Sequence, residues 1–164
     1  MQYWLRLPDN AYDRAWDRFY TTFSFQPGVS AKDWPSITTR KPCKKIDIGS
    51  FWSNYNEQAT LDFIQKGIDA FTAITQPGEL IYALDWQHEC FYVDPTKITA
   101  REMLQNGSGA SRISFLPDGD YYIFITKDFE NVWFGHPWEQ TVTLIGNQLI
   151  TAFDDLSLKR SGIR

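Results

Sequence analysis

Apolar residues recur at Tyr12, Trp16, Phe19 and Phe23, spaced four, three and four positions apart, with Asp13, Arg14, Asp17 and Arg18 between them. That is the period of one helix face. The pattern predicts an amphipathic helix capped near Asp9 or Asn10 and stopped before Pro27-Gly28. A loop rich in Pro, Ser, Thr and Lys follows from Pro27 to Lys45, and Ile46-Asp47-Ile48 then alternates as a short strand does. Leu61, Ile64, Ile68, Phe71 and Ile74 mark a second helix, ended by Pro77-Gly78. Its interior Gly67 lowers helix propensity.

After Gly78 the period changes from helix to strand. Leu80–Trp86 and Cys90–Val93 read as a hairpin about Gln87-His88-Glu89, closed by Asp94-Pro95. A short helix over Thr99–Leu104 and a flexible connector, Asn106-Gly107-Ser108-Gly109, come next. Tyr121–Thr126, Val132–Phe134, Thr141–Ile145 and Leu149–Phe153 read as further strands, the last two joined by a Gly146-Asn147 turn. The expectation is a single α+β domain over residues 1–164, its helical part at about 9–76 and its sheet part at about 79–154. Consecutive hairpins make the sheet mostly antiparallel, with five to seven strands and the two N-terminal amphipathic helices packed on it.

Composition narrows the class. With 43% hydrophobic and 16% aromatic residues, the chain carries enough apolar surface to offset its ordering entropy, which argues against disorder. No apolar run approaches the ~18 residues that span a bilayer, and Met1-Gln2-Tyr3-Trp4-Leu5-Arg6 lacks a basic segment followed by an apolar one, so the expectation is a soluble cytoplasmic protein. Cys43 and Cys90 show neither C-x-x-C nor zinc spacing and read as reduced thiols. Charge is uneven: nine basic and eight acidic residues precede position 76, and seven basic and twelve acidic residues follow. The acidic second half repels nucleic acid and attracts a basic protein partner. The one basic cluster, Arg40-Lys41-Pro42-Cys43-Lys44-Lys45, has no interleaved aromatic residues for base stacking and reads as a solvated loop.

The two histidines sit in dense aromatic and acidic segments, Ala83-Leu84-Asp85-Trp86-Gln87-His88 and Phe134-Gly135-His136-Pro137-Trp138-Glu139, with Pro117-Asp118-Gly119-Asp120-Tyr121-Tyr122-Ile123-Phe124 between them. Imidazole titrates near neutral pH and ligates metals, so Asp85, Trp86, His88, Asp118, Asp120, His136, Trp138 and Glu139 form the candidate cluster. A metal site would need His88 and His136 to converge with Asp85, Asp118, Asp120 or Glu139. No ligand spacing marks one, and the competing reading has each imidazole anchoring a turn. No metal and no cofactor are assigned. Asp118-Gly119-Asp120 opens like a calcium loop, but that rule would place Phe129 at its last ligand position, so it reads as a turn. Pro137 pushes His136 into extended backbone. No nucleophile elbow is present, Cys90 near His88 does not make a dyad unaided, and Gly107-Ser108-Gly109 opens no phosphate loop.

Those three segments, with Tyr12-Asp13-Arg14-Ala15-Trp16-Asp17-Arg18-Phe19, resemble the signatures of a bacterial family known as domain of unknown function 2716. The resemblance implies a single-domain bacterial protein and defines no activity or catalytic residue. Three readings follow from the residues. The leading one is a non-catalytic binding protein that meets a basic partner through an acidic, aromatic surface, in the manner of small immunity proteins. The second is a hydrolase using His88 and His136 as acid, base or metal ligands beside Asp85 and Glu139. The third is a small-ligand binder with Trp86, Trp133 and Trp138 lining a cleft and Asp118 or Asp120 orienting the guest.

Overall fold

Alternation along the strands after Gly78 buries both sheet faces, and this sets the layering of the molecule. The computed structural model describes residues 3–104 and 113–160. Among them β1 (Trp4–Arg6), β2 (Cys43–Asp47), β3 (Ile81–Asp85), β4 (Phe91–Val93), β5 (Tyr122–Ile125), β6 (Val132–His136) and β7 (Thr141–Ile145) form one sheet. Its order is β1-β4-β3-β5-β6-β7-β2, with every neighbouring pair antiparallel. The helices are α1 (Asp9–Phe23), α2 (Ser50–Ser53), α3 (Glu57–Ile74), α4 (Ala100–Leu104) and α5 (Asn147–Arg160). The chain is thus an α+β domain. No helix among the described residues is long and apolar enough to cross a membrane.

Ala83, Phe124, Trp133 and Leu144 share one cluster with Phe63, Ile64 and Phe71 of α3 and with Leu149 and Phe153 of α5. Leu84, Ile123, Phe134 and Ile145, their neighbours of opposite parity, cluster instead with Trp16, Phe19 and Phe23 of α1 and with Phe25 and Ile37 beyond it. Ring contacts mark the two interfaces, with Phe63 5.5 Å from Trp133 and Phe19 stacked on Phe134 at 6.1 Å. Helices therefore cover the sheet on both sides.

Several expectations change. Leu149–Phe153 is not a strand but the start of α5. Its β-branched and aromatic composition suits a strand, yet Leu149 and Phe153 lie four apart and enter the same cluster. The start of the helix is fixed from a distance, where the Leu149 N–H donates to Asn131 Oδ1 at 3.1 Å. Gly146 does turn the chain, with φ of +103°, and a Cβ there would lie 2.2 Å from the Glu130 carbonyl oxygen. The loop expected up to Lys45 ends early, because Cys43, Lys44 and Lys45 belong to edge strand β2, paired with Ile145, Leu144 and Thr143. Strand β1 has no counterpart in the sequence reading. Helix α1 carries Pro8 at its cap position with no side-chain cap bond, in place of the expected Asp9 or Asn10. Helix α3 begins four residues before Leu61, where Asn56 Oδ1 accepts the Ala59 N–H at 2.8 Å. The connector Asn106–Gly109 lies outside the described residues.

Candidate functional site

Strand register gathers most of the candidate residues at one end of the sheet. Asp85 faces Tyr122 across β3 and β5, Tyr122 faces Gly135 across β5 and β6, and His136 faces Thr141 across β6 and β7. The end of β3, the start of β5 and the end of β6 therefore lie side by side. The two histidines have separate sets of polar partners, joined by Tyr121, whose ring lies 5.9 Å from Trp86 and 4.9 Å from His136.

The first cluster is an open acidic rim. After β3 the chain turns through Gln87, whose φ is +65°, and the His88 N–H bonds back to the Asp85 carbonyl at 3.1 Å. This brings His88 Nδ1 to 3.1 Å from Asp85 Oδ1 and 3.4 Å from Asp120 Oδ2. The imidazole is exposed, whereas the Asp85 side chain keeps only 11% of its surface. Burial pushes the Asp85 carboxyl up to about 6 against the pull of His88. Asp120 is raised by burial too, and His88 is raised by its hydrogen bond to Asp85. Trp86 flanks the rim, its Nε1 donating to the Tyr20 hydroxyl at 2.9 Å. Ligand atoms of Asp85, His88 and Asp120 lie within 4.8 Å of one another, a set of oxygen and nitrogen donors that could also hold a divalent cation.

The second cluster is a buried polar network. His136 is 1% exposed. Its Nδ1 accepts the Glu139 N–H at 3.0 Å, which fixes the ring proton on Nε2, facing Ser36 Oγ at 3.1 Å. Ser36 Oγ lies 3.0 Å from the Tyr121 hydroxyl, which donates to the Gly28 carbonyl and accepts the Gly28 N–H, both at 3.0 Å. Burial pushes the His136 imidazole down to about 4, so it stands neutral at physiological pH. His136 thus anchors the turn that follows β6, and the loop of residues 24–42 packs onto it through Ser36 and the Trp34 ring, 5.5 Å away. Trp138 packs on Tyr121 at 5.1 Å. Glu139 receives the Thr141 hydroxyl at 2.6 Å and the Lys45 ammonium at 3.1 Å, and these outweigh burial and lower its carboxyl.

The remaining candidates part company. Asp118 accepts the Tyr122 hydroxyl at 2.7 Å. Trp133 is fully buried and donates to the Phe115 carbonyl at 2.9 Å, so it belongs to the core. Cys90 is buried, its thiol pushed up to about 11 by burial, and its sulfur accepts the Asp85 N–H at 3.4 Å. The sequence reading missed Ser36, which lies 100 positions from His136 in a loop with no periodicity to mark it. Tyr121 belongs to the same network: at 0% exposure its hydroxyl calls for partners, and Ser36 and Gly28 supply them.

A family model described as "Protein of unknown function (DUF2716)" matches residues 6–150, a span that holds both clusters. The "Uncharacterized protein YxiI" of Bacillus subtilis (strain 168) is 28% identical over 160 residues, covering 94% of each chain. No solved structure matches.

Proposed function

This chain belongs to the DUF2716 family of proteins of unknown function, and from that premise we propose that it is a non-catalytic binding protein whose acidic rim receives a basic side chain of a protein partner. The observation that carries the reading is the convergence of Asp85 and Asp120 on one exposed imidazole. An incoming guanidinium can replace His88 between those two carboxylates with paired hydrogen bonds. The predominantly acidic second half steers a basic surface toward the rim. Size and acidity resemble those of small immunity proteins, an analogy of class rather than of site. A two-histidine mechanism has less support, because His136 is neutral, buried and committed through both nitrogens.

The test is an NMR titration with Nα-acetylarginine amide, set beside its neutral isostere Nα-acetylcitrulline amide and read at the His88 ring. The arginine probe shifts the ring signals and the citrulline probe does not. The effect disappears in Asp85→Asn/Asp120→Asn and weakens as salt rises. Affinity increases from pH 6 to 8, as His88 loses the proton with which it competes for the carboxylates. Equal response to both probes overturns the reading. A rise in melting temperature with Mn²⁺ or Zn²⁺, absent in the double variant, reassigns the rim to a metal ion.

A further inference from the structure

Trp16, Phe19 and Phe23 fill the space between α1 and the sheet, but the same helix also buries two alanines, Ala11 and Ala15. Beside these small side chains, Tyr82 of β3, Tyr92 of β4 and Phe129 help to enclose a pocket of about 380 Å³. Pockets that take small molecules fall at roughly 300–1,000 Å³. Ala11, Ala15 and Phe129 are buried and the two tyrosines half-buried, so the interior is apolar and aromatic. The Tyr82 ring lies 5.2 Å from Tyr92 and 5.7 Å from Phe129. Phe129 has a φ of +62°, a region that favours glycine or asparagine, so its ring is held in place against a backbone preference.

The mouth carries the opposite chemistry. Arg14 and Arg18, four apart on α1, are exposed and line it. The Arg18 guanidinium is fixed, with its carbon 4.3 Å from the Phe129 ring centroid and its Nη1 and Nη2 donating to the Lys127 and Asp128 carbonyls at 3.3 and 3.0 Å. Its other N–H donors remain for a guest. Lys127 adds a third cation, its Nζ 4.8 Å from the Tyr92 ring centroid. None of the three enters an ion pair among the described residues. Burial raises the Tyr82 hydroxyl, and the charges of Arg18 and Arg14 oppose that rise, so both act inside the pocket. Asp17 on the lip and Asp128, within the field of Arg18, subtract from the positive charge, which favours a singly charged guest over a dianion.

We propose that this pocket binds a small aromatic carboxylate, its ring against Ala11, Ala15 and Tyr82 and its carboxylate at the guanidinium forks of Arg14 and Arg18. The site shares no residue with the Asp85–His88–Asp120 rim, so either can fail alone.

Calorimetric titration of the whole chain with cinnamate, cinnamamide and cinnamylamine tests the proposal, alongside NMR spectra read at the Tyr82 and Phe129 rings. The carboxylate binds about fivefold tighter than the amide, the scale of one exposed ion pair, and the amine binds weakest. Arg14→Gln removes no hydrogen bond or ion pair among the described residues, yet it takes away most of the preference for carboxylate over amide. Asp17→Asn enlarges that preference, and Asp85→Asn/Asp120→Asn leaves it unchanged. Absence of saturable binding, equal affinity for carboxylate and amine, or a preference that survives Arg14→Gln overturns the proposal. So does binding that leaves the Tyr82 and Phe129 signals unmoved, because it places the guest elsewhere.

Discussion

His136 and Asp85 respond to protons in opposite senses, although both stand near the same end of the sheet. His136 has a pKa of about 4 when folded, against an ordinary 6.5. Its contribution to stability is full above about pH 6.5 and is lost as pH falls toward 4, because the unfolded chain then binds the extra proton. Asp85 has a pKa of about 6 when folded, against 3.8. Its contribution is full below about pH 3.8 and is lost as pH rises through 6. The slopes oppose each other between pH 4 and 6, and each integrates to roughly 3 kcal/mol. Urea denaturation across pH 4–7 should therefore show a shallow profile in the wild type. Asp85→Asn should steepen it, with stability climbing as pH rises, and His136→Gln should reverse the slope. Parallel profiles in all three proteins would refute the opposition. Glu139 and Lys45 bear on His136, and His88, Asp118 and Asp120 on Asp85, so variants at those positions should move the crossing point.

At the scale of the element, Gly67 shows how packing overrides propensity. Alanine in its place would improve α3 by about 1 kcal/mol on propensity alone. Its Cβ, however, would lie 2.9 Å from the Phe115 ring. Phe115 cannot yield, being fully buried and stacked on Phe124 at 4.1 Å. Gly67→Ala is expected to destabilise the protein by a net ~1–2 kcal/mol in urea denaturation, the cost of overpacking exceeding the gain. The amphipathic cores of α1 and α3 and strands β3 to β7 were legible in the sequence because each carries its own period or turn residues. Strand β1 was not, since three residues give no period and it exists only through Val93, Tyr92 and Phe91 opposite. Nor was α5, whose start depends on Asn131 far upstream. The candidate residues were legible as segments. Their division into an open rim and a buried network was not, because it depends on which strand neighbours which and on Ser36, which no local pattern marks.

Among the described residues the sheet ends in two edge strands, β1 and β2, and charge protects the longer of them. Lys44 reaches Asp154 at 2.5 Å and Lys45 reaches Glu139, so both project from the five residues of β2. Lysine on an edge strand discourages pairing with another chain. Lys44→Val/Lys45→Val leaves Ile46 next to two β-branched neighbours on that edge. Light scattering at rising concentration should show the double variant associating well before the wild type, and unchanged scattering would mean that the edge is guarded by something other than charge.

The two edge strands lie at 4–6 and 43–47, yet their partners lie at 91–93 and 141–145. A ribosome adding ~5–20 residues per second takes roughly 5–20 s to pass from Cys43 to Ile145. For that interval β2 lacks its strand partner, and α1 has Phe25 and Ile37 beside it for much of the time before Phe134 is made. β1 and β2 are therefore synthesised before the strands that complete their ladders, and their pairing waits on β4 and β7.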